Sequence, residues 1–426
     1  MEIKSVILAA GKGTRMKSNT PKVLHKIMDK PLLGYVLDNV KGLANEAYVI
    51  VGHQAEEVSE YVMKNYTCAK TVLQTPQLGT GHAVSMACPY LENFDGLVLI
   101  LYGDTPLITE ATLKKFVEYH ISCGSDLTVM SAIFDDPTNY GRIIREKDNS
   151  LKCIVEEKDA DAEQKAVKEI NAGIYCLDWK KIKPAFSQLT SNNVQGEYYL
   201  TDIIAWGKNQ KLNVNAYILE NNDEIYGINS RLNLAHAAKL MNERKLNALM
   251  ENGVTIVDPH STWISEDTEI GQDTIIYPST YIEGKNKIGQ NCKIGPCAHL
   301  RGGVEVDDNC KIGNFVEVKK SKIGHNTNAG HLSYIGDSEV GSHVNIGAGT
   351  ITANFNPLNN QKSKTILEDN VKIGSNSVLV APVEVKEGAN IGAGSVVTKN
   401  IQAWALGLTR APLRVIENWV KKQIQK

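Results

Sequence analysis

Residues 282–300, "IEGKNKIGQNCKIGPCAHL", place an isoleucine or a leucine at every sixth position. The same spacing continues in both directions, and we call the apolar residue that begins each group of six its opener. Glycine often comes directly after an opener, where a tight turn needs a residue without a Cβ. Such hexapeptide repeats predict a parallel β-helix whose core is filled by the openers. Ten openers follow one another without a break: Ile264, Ile270, Ile276, Ile282, Ile288, Ile294, Leu300, Val306, Ile312 and Val318.

The spacing of the openers is disturbed further along the chain. It shortens by one residue at Ile323 and again at Val340, stops between about Ala353 and Val371, and resumes at Ile373. Insertions into a solenoid map to loops on one of its faces. We therefore predict that "TANFNPLNNQKSKTI" (352–366) leaves the column as a binding loop or as a loop that contacts another subunit.

The first half of the chain has a different pattern. Short β-branched runs alternate with helical stretches up to about Ile228, which predicts a mainly parallel sheet covered by helices on both faces. The segment "RLNLAHAAKLMNERKLNALMENG" (231–253) then has Leu, Ala and Met at helical spacing, and Gly253 stands where a helix would end. We predict domains at 1–228 and 253–426, joined by a linker helix at 229–252.

Composition narrows the class of protein. The chain has 426 residues, 42% of them apolar, and a net charge of -2, which leaves no basic excess for wrapping nucleic acid. No apolar run approaches the roughly 20 residues of a membrane-spanning helix. The eight cysteines form no CxxC pair, and nothing at the N-terminus reads as a secretory signal. We expect a cytoplasmic protein with reduced thiols, no nucleic-acid partner and no membrane insertion.

A glycine-rich turn, "LAAGKGTRM" (8–16), follows a predicted strand and precedes a helical stretch. Gly11 and Gly13 would let backbone N–H groups approach a phosphate chain, while Lys12 and Arg15 supply positive charge. The stretch is neither a P-loop nor a G-x-G-x-x-G motif, so a plain tight turn is the alternative.

Two further stretches offer polar side chains with ordinary alternatives. Lys22 in "TPKVL" is a cation just beyond the glycine-rich turn, although a lone lysine is more often a solvated surface residue. "LQTPQLGTGHA" (73–83) offers Gln74 and the turn 79–81, which are suited to hydrogen bonds with a base edge but are also typical of a loop.

Asp104 in "LYGDTPL" (101–107) is the more specific signal. It follows a strongly apolar strand, and the carboxyl ends of strands are where open α/β sheets bind ligands. A carboxylate at this position can hold Mg²⁺ between phosphates. Capping of the next helix is the alternative role.

Together these stretches resemble a known family. The motifs are "LAAGKGTRM", "PKVL", "QLGTGHA", "YGD", "YGR" (140–142), "VEEKD" (155–159), "EINAGIY" (169–175) and "GINSR" (227–231). They resemble the sugar-1-phosphate nucleotidyltransferases. With the hexapeptide half attached, nearly the whole chain is similar to the bacterial bifunctional N-acetylglucosamine-1-phosphate uridylyltransferase/glucosamine-1-phosphate N-acetyltransferases. The resemblance implies an α/β Rossmann-like nucleotidyltransferase domain followed by a left-handed parallel β-helix of hexapeptide repeats, and an enzyme that supplies UDP-N-acetylglucosamine for envelope polysaccharides.

The resemblance also assigns a uridylyltransferase site to the first domain. Asp104 and Asn229 would hold Mg²⁺, although Asn229 could instead cap the helix that follows it. Arg15 and Lys22 would act catalytically by stabilising the triphosphate as the sugar phosphate oxygen attacks the α-phosphorus. UTP and UDP-N-acetylglucosamine would contact Leu8, Ala9, Ala10, Gly11, Lys22, Gln74, Gly79, Thr80, Gly103, Asp104, Gly141, Glu156, Asn171 and Asn229, with the sugar moiety at Gly141, Glu156 and Asn171.

His331 in "TNAGHLSYIGD" (327–337) is the main candidate in the second domain. It is the third residue of the hexad opened by Ala329, so we place it at a turn and not in the core. Removal of a proton from an attacking amine suits a histidine, although a neutral turn histidine is the alternative. Arg301 and Lys319 lie about one coil apart from each other and from the His331 segment, since a coil takes roughly 18 residues.

The resemblance assigns an N-acetyltransferase site to these residues, with His331 as general base. Glucosamine 1-phosphate would bind Arg301, Lys319, Tyr334 and Asn345. Acetyl-CoA would bind along a seam formed by Ala348, Asn354, Phe355, Ser375, Ala393 and Arg410. The family also implies a homotrimer in which neighbouring subunits build each acetyltransferase site.

The chain departs from the family pattern in three places. Phe355 stands where the family usually has an aromatic hydroxyl, and "CAHLRGG" (297–303) makes His299 and Gly302 atypical. The β-helix is about two coils shorter before Arg301 than in longer members. Two other functions are the alternatives: a single-activity nucleotidyltransferase whose β-helix serves only assembly or regulation, against which His331, Arg301 and Lys319 argue, and a non-enzymatic nucleotide-sugar sensor or scaffold, against which Asp104 and Asn229 argue.

Overall fold

The computed structural model describes residues 1–409 and 411–424. The chain divides into two compact units, Met1–Leu240 and Met241–Lys426. The helices are α1 (Leu32–Lys41), α2 (Ala55–Asn65), α3 (Thr80–Ser85), α4 (Glu110–Ser122), α5 (Ala162–Lys165), α6 (Trp179–Ile182), α7 (Asp202–Asn209), α8 (Arg231–Glu251) and α9 (Trp419–Ile424).

The first unit is built on a nine-stranded sheet. Seven strands follow the order β11-β7-β10-β6-β1-β4-β5, and β8 and β9 attach to one end of β10. All pairings except those of β8, β9 and β10 are parallel, which confirms the α/β prediction. The strands of this unit are β1 (Ile3–Leu8), β2 (Lys26–Ile27), β3 (Lys30–Pro31), β4 (Glu46–Val51), β5 (Ala69–Leu73), β6 (Leu97–Tyr102), β7 (Leu127–Ile133), β8 (Arg142–Arg145), β9 (Leu151–Val155), β10 (Glu169–Asp178) and β11 (Val214–Ile218).

Apolar side chains cover both faces of this sheet because its central strands are continuously hydrophobic. In β6, "LVLILY", every residue from Leu97 to Leu101 is buried. Successive side chains point to opposite faces, so one strand contributes to two separate hydrophobic clusters beneath the helices. Polar residues that follow such strands lie at the edge of the sheet, where they are free to bind ligands.

The second unit is the predicted left-handed parallel β-helix. Its strands form three parallel sheets of nine, eight and seven strands, which we call faces one, two and three. The ten consecutive openers are buried, except that Ile270 is half-buried. The strands are β12 (Thr255–Ile256), β13 (Trp263–Ile264), β14 (Glu269–Ile270), β15 (Ile275–Ile276), β16 (Tyr281–Glu283), β17 (Lys287–Ile288), β18 (Lys293–Ile294), β19 (His299–Arg301), β20 (Glu305–Val306), β21 (Lys311–Asn314), β22 (Glu317–Lys319), β23 (Lys322–Ile323), β24 (Asn328–His331), β25 (Tyr334–Gly336), β26 (Ser338–Val340), β27 (Asn345–Ile346), β28 (Ile351–Ala353), β29 (Phe355–Asn356), β30 (Gln361–Lys362), β31 (Thr365–Leu367), β32 (Lys372–Ile373), β33 (Val378–Val380), β34 (Val383–Val385), β35 (Asn390–Ile391), β36 (Val396–Val397) and β37 (Leu406–Gly407).

The register of face one records the predicted irregularities. Ile294 pairs with Ile312 after a full coil of three hexads, but Ile312 pairs with Ala329, and Ala329 with Ile346, after coils that are one residue shorter. Ile346 then pairs with Ile373 because the intervening coil contains the insertion. As predicted, the insertion leaves the column: β29 and β30 form their own exposed antiparallel hairpin.

Helix α8 begins after Ser230, not after Asn229. The Ser230 Oγ accepts a hydrogen bond of 3.1 Å from the backbone N–H of Asn233, so serine provides the side-chain cap. The capping alternative for Asn229 was therefore wrong. Gly253 follows the helix with φ at 87°, the left-handed conformation that ends helices. Among residues 1–409 and 411–424, no helix combines the length and apolar character needed to cross a membrane.

Candidate functional site

A cleft of about 600 Å³ lies at the carboxyl ends of β1, β5 and β6. These three strands are parallel, so the segments that follow them meet at one edge of the sheet. Nine of the residues predicted to bind UTP line the cleft. The lining consists of Leu8, Ala9, Ala10, Gly11, Lys12, Lys22, Val23, Gln74, Pro76, Gln77, Gly79, Thr80, Ala83, Tyr102, Asp104 and Glu197.

The glycine-rich turn positions Lys22 at this cleft. Gly13 has φ at 57°, and a Cβ on it would stand 2.6 Å from the Cβ of Lys22. The missing side chain therefore makes room for the lysine stem. Arg15 lies in the one-turn helix Thr14–Met16, is exposed, and does not line the cleft. The structure thus brings Lys22 into the cleft but leaves Arg15 at its outside.

Lys22 joins the two residues predicted to hold Mg²⁺. Its Nζ contacts the carboxylate of Asp104 and donates to Asn229 Oδ1 at 3.2 Å. The backbone N–H of Ile228 donates to the Asp104 carbonyl at 3.0 Å, which brings the segment before α8 to the end of β6. Asp104 is only 9% exposed, so its carboxylate is largely desolvated. The adjacent Lys22 ammonium balances its charge.

The side chains of Asp104 and Asn229 are suitable ligands for Mg²⁺. A carboxylate and an amide carbonyl are hard oxygen donors, and Mg²⁺ bound to phosphates usually takes only one or two protein ligands. Within residues 1–409 and 411–424, no cluster of three or more His, Cys, Asp or Glu side chains suits a metal ion. Asp104 and Asn229 are the side chains of this cleft that would hold Mg²⁺.

The three residues predicted for the sugar moiety also meet. The N–H of Asn171 donates to the Gly141 carbonyl at 2.8 Å, and Glu156 lies against Gly141, where a Cβ would stand 3.4 Å from the Glu156 carboxylate. Burial raises the pKa of Glu156, and the Thr201 hydroxyl donates to it at 3.1 Å. Gly103 has a different role, since its N–H donates to the Leu8 carbonyl at 2.9 Å and joins β1 to the end of β6.

In the β-helix, Arg301 and Lys319 are neighbours in register on face two. Arg301 pairs with Glu317 at 2.9 Å and with Glu283 at 3.5 Å. Lys362 lies on the projecting hairpin and contacts Lys319. This second ammonium is the main reason why the pKa of Lys319 is lowered. Three cations therefore gather at one edge of face two, which suits a phosphate.

Tyr334 lies on the same face, one coil further on. It pairs in register with Glu317, and Lys319 pairs with Gly336. The Tyr334 hydroxyl packs against Gly336, where a Cβ would clash with it, so the phenol ring leans toward the cation cluster. Three of the predicted residues therefore lie on face two: Arg301, Lys319 and Tyr334. His331, three positions before Tyr334, lies at the corner that precedes this face.

His331 stands at the corner between faces one and two. It pairs in register with Asn314, and it is exposed, as predicted for a residue outside the core. The register of face one pairs Ala329 with Ile346, Ile346 with Ile373 and Ile373 with Ile391. Two residues beyond these partners, His331 is followed on successive coils by Ala348, Ser375 and Ala393. Corner hydrogen bonds keep the alignment: Asn376 N donates to Ala348 O at 2.7 Å, and Gly394 N donates to Ser375 O at 2.8 Å. We call His331, Ala348, Ser375 and Ala393 the corner column.

Other predicted residues lie away from the corner column. Asn345 is exposed on face one, between Asn328 and Lys372 in register. Asn354 contacts the Asp337 carboxylate at the far edge of face two, and Phe355 is 51% exposed on the hairpin. Arg410 lies outside the described residues. The predicted acetyl-CoA set is therefore divided between two edges of face two within one chain.

Sequence reasoning missed two residues of this region. Glu317 stands two positions before Lys319, on the same outward side of its strand, so the two-residue period of a strand could have pointed to it. Lys362 gave a weaker signal, a lysine in a loop of polar residues. Its proximity to Lys319 depends on how the hairpin folds back, which the spacing of the openers does not encode.

Comparison with known proteins agrees with this two-part architecture. A model of the MobA-like NTP transferase domain matches residues 5–150, and a model of the bacterial transferase hexapeptide (six repeats) matches residues 287–320 and 364–399. "Bifunctional protein GlmU" of Caldanaerobacter subterraneus subsp. tengcongensis is 46% identical over 459 residues, covering 100% of this chain and 99% of that protein. The proteins of the same name from Alkaliphilus metalliredigens and Clostridioides difficile are each 43% identical, over 99% and 100% of this chain and 99% of each relative. The chain therefore belongs to the GlmU family of bifunctional proteins, the uridylyltransferase and N-acetyltransferase family that its motifs resemble.

Proposed function

We propose that this chain makes UDP-N-acetylglucosamine in two steps. The β-helix transfers an acetyl group from acetyl-CoA to glucosamine 1-phosphate, and the α/β domain then transfers a uridylyl group from UTP to N-acetylglucosamine 1-phosphate. The observation that carries this proposal is the exposed His331 at the start of the corner column. Its coil follows that of Lys319, which pairs in register with Arg301 on the coil before. A β-helix used only for assembly needs none of these groups.

In the uridylyl step a phosphate oxygen of the sugar phosphate attacks the α-phosphorus of UTP, and pyrophosphate leaves. Lys22, which lines the cleft, and Arg15, which lies at its outside, would stabilise the negative charge that develops on the phosphate oxygens. Asp104 and Asn229 would hold Mg²⁺, which when bound neutralises phosphate charge and orients the groups. Gly141, Glu156 and Asn171 would fix the sugar so that its phosphate lies in line with the bond that breaks.

In the acetyl step the amine of glucosamine 1-phosphate attacks the thioester carbonyl of acetyl-CoA. His331 would accept the proton that the nitrogen loses as the new C–N bond forms, and the C–S bond then breaks to release CoA. Arg301, Lys319 and Lys362 would hold the phosphate of the acceptor. The small side chains of Ala348, Ser375 and Ala393 would leave room along the corner column for the extended acetyl-CoA.

We also propose that the chain is a homotrimer. The predicted acetyl-CoA residues Asn354 and Phe355 lie at the opposite edge of face two from Ala348 and Ser375, so one chain alone does not bring them to the same ligand. A neighbouring copy would complete the set. We assign the uridylyltransferase domain to 1–228, the linker, which contains α8, to 229–252 and the acetyltransferase domain to 253–426. UTP and acetyl-CoA as substrates, together with eight free cysteines, favour a cytoplasmic location.

Two product assays test the proposal. Purified protein should release CoA from acetyl-CoA only when glucosamine 1-phosphate is present. It should release pyrophosphate from UTP only with N-acetylglucosamine 1-phosphate and Mg²⁺. Pyrophosphate release without any CoA release would leave the single-activity nucleotidyltransferase as the function, and the absence of both would favour the sensor or scaffold.

A further inference from the structure

The side-chain amide of Gln74 is held in one orientation by the protein itself. Gln74 follows β5, is 4% exposed, and its backbone N–H donates to Val51 O at 2.8 Å. Its Nε2 donates to the Gly79 carbonyl at 3.0 Å and lies 3.1 Å from Nδ1 of His82. A backbone carbonyl can only accept, so the amide nitrogen must be the atom that faces Gly79. Both amide hydrogens are then used.

The remaining oxygen of this amide is turned toward the cleft. No donor among residues 1–409 and 411–424 makes a hydrogen bond to Gln74 Oε1, and this oxygen is not sealed off from the surface. Gln74 lines the 600 Å³ cleft. The cleft therefore presents a fixed hydrogen-bond acceptor, and its natural partner is an N–H group of a ligand.

His82 completes this arrangement from the first turn of α3. Its Nδ1 must accept the second amide hydrogen of Gln74, which requires a neutral imidazole with its proton on Nε2. Burial lowers the pKa of His82, which favours the neutral form. A hydrogen bond of 2.8 Å from Gly81 N to Tyr198 O fixes the turn that carries the histidine. The ring centroids of His82 and Tyr198 lie 6.3 Å apart.

We propose that His82 is a positioning residue that, together with the Gly79 carbonyl, holds the Gln74 amide in the orientation that selects uracil over cytosine. This inference rests on the proposed uridylyltransferase function. The N3 position of uracil carries a hydrogen and donates to Gln74 Oε1, whereas N3 of cytosine carries a lone pair that repels the same oxygen. A flipped amide would suit cytosine, but it would direct its oxygen at the Gly79 carbonyl and at Nδ1 of His82. The histidine thereby contributes to base choice without touching the base.

The test compares UTP with CTP in the full-length protein. Pyrophosphate release with N-acetylglucosamine 1-phosphate and Mg²⁺ gives kcat/KM for each nucleotide in the wild type, in His82→Phe and in His82→Asn. Phenylalanine keeps the ring shape but removes the acceptor, while the Oδ1 of asparagine can occupy the place of Nδ1. We expect His82→Phe to lower the UTP:CTP preference about tenfold, the effect of one lost hydrogen bond, and His82→Asn to keep most of it.

Folding is checked on the same preparations by CoA release from the other domain and by thermal unfolding. His82→Leu is a second variant without an acceptor, with the same expectation, if His82→Phe is not recovered folded. An equal loss of kcat/KM for both nucleotides, with an unchanged ratio, would show a purely structural histidine and overturn the inference. If the wild type released no pyrophosphate from UTP at all, the proposed function itself would fail, and this inference with it.

Discussion

Lys22 and Asn229 are 207 positions apart in the sequence, yet Lys22 Nζ donates to Asn229 Oδ1 at 3.2 Å. The same ammonium contacts Asp104. One lysine therefore links the end of β6 to the segment before α8, and the two oxygen ligands proposed for Mg²⁺ share a single cation. Their contributions should differ because one is a carboxylate and the other a neutral amide.

Asp104→Ala should reduce pyrophosphate release by about 10²- to 10³-fold, because it removes the charged ligand and leaves Lys22 without its anion. Asn229→Ala should cost about tenfold, as expected for one neutral interaction. CoA release should not change in either variant. Asp135→Ala, which removes an exposed carboxylate that pairs with Lys168 at the surface, is the matched control. Parallel loss of both activities would indicate a folding role for Asp104 instead.

His331→Ala should reduce CoA release by about 10²- to 10⁴-fold, the usual contribution of a general base, and should leave pyrophosphate release intact. His325→Ala is the control, because His325 is also exposed in the β-helix but faces Asp307 at 3.6 Å, away from the corner column. Steady-state assays of both products on the same preparation make the comparison. An active His331→Ala enzyme would remove this residue from the mechanism.

Lys362→Ala should raise KM for glucosamine 1-phosphate about ten- to a hundredfold, because it removes one charged partner of the phosphate. KM for acetyl-CoA should change little. Lys364→Ala is the control: this lysine lies two positions further on and contacts Glu339 instead of Lys319. If both variants raised KM equally, general positive charge on the loop would explain the effect, and a specific contact would not.

Gly313 and Gly330 stack on adjacent coils but should respond differently to alanine. A Cβ on Gly313 would overlap the Gly330 carbonyl oxygen, whereas a Cβ on Gly330 would meet only Asn328 Oδ1 at 3.6 Å. Gly313→Ala should therefore lower the free energy of unfolding of the β-helix by about 1–3 kcal/mol, and Gly330→Ala by about 0.5 kcal/mol or less. Thermal unfolding of the two variants measures the difference, and equal effects would contradict the stacking.

Acid should destabilise the first unit through His120. Burial lowers the pKa of this histidine to about 4. The nearby carboxylates of Asp178 and Asp126 raise the pKa but offset only part of this effect. In the unfolded chain the pKa is about 6.5. As the pH falls from about 6.5 to 4, the unfolded chain takes up a proton that the folded chain does not, so up to about 3 kcal/mol of stability is lost.

Urea unfolding of the wild type and of His120→Phe between pH 7 and 4.5 isolates this effect. The variant should be less stable at pH 7, because it loses the contact of 2.8 Å between His120 Nδ1 and Thr128 Oγ1, but its stability should fall less steeply with acid. His53→Ala, at an exposed histidine, should retain the wild-type slope. Parallel curves for the wild type and His120→Phe would contradict the assignment.

The β-helix could be predicted in detail because its signal is local. Each opener is read from six residues, and the two slips at Ile323 and Val340 correspond directly to the two coils that are one residue short. Because three hexads make one coil, every third hexad lies on the same face. Counting hexads in this way puts Ala348 before the strand on face two and Asn354 after it. The resemblance implies one acetyl-CoA seam that includes both residues, in a site built by neighbouring subunits, and within one chain they lie at opposite edges of face two.

In the first unit, single site residues could be predicted from the sequence, but the contacts between them could not. Its motifs identified Lys22, Asp104 and Asn229 separately, but their contact depends on a turn, a strand end and a helix start that lie far apart in the chain. Asn229 had a local explanation as a helix cap, which the neighbouring Ser230 fulfils instead. The orientation of the Gln74 amide was likewise beyond sequence reasoning, because it is decided by Gly79 and His82 acting together.

The corner column also bears on how the length of these chains can vary. Each coil adds one strand spacing of about 4.8 Å, so the three coils from His331 to Ala393 provide an edge of about 14 Å. Whole coils inserted or deleted before Arg301 change the height of the unit but leave this edge intact. Loss of a coil after His331 would instead shorten the edge itself. A change in the number of coils should therefore be tolerated before Arg301, whereas the loss of a coil after His331 should be selected against.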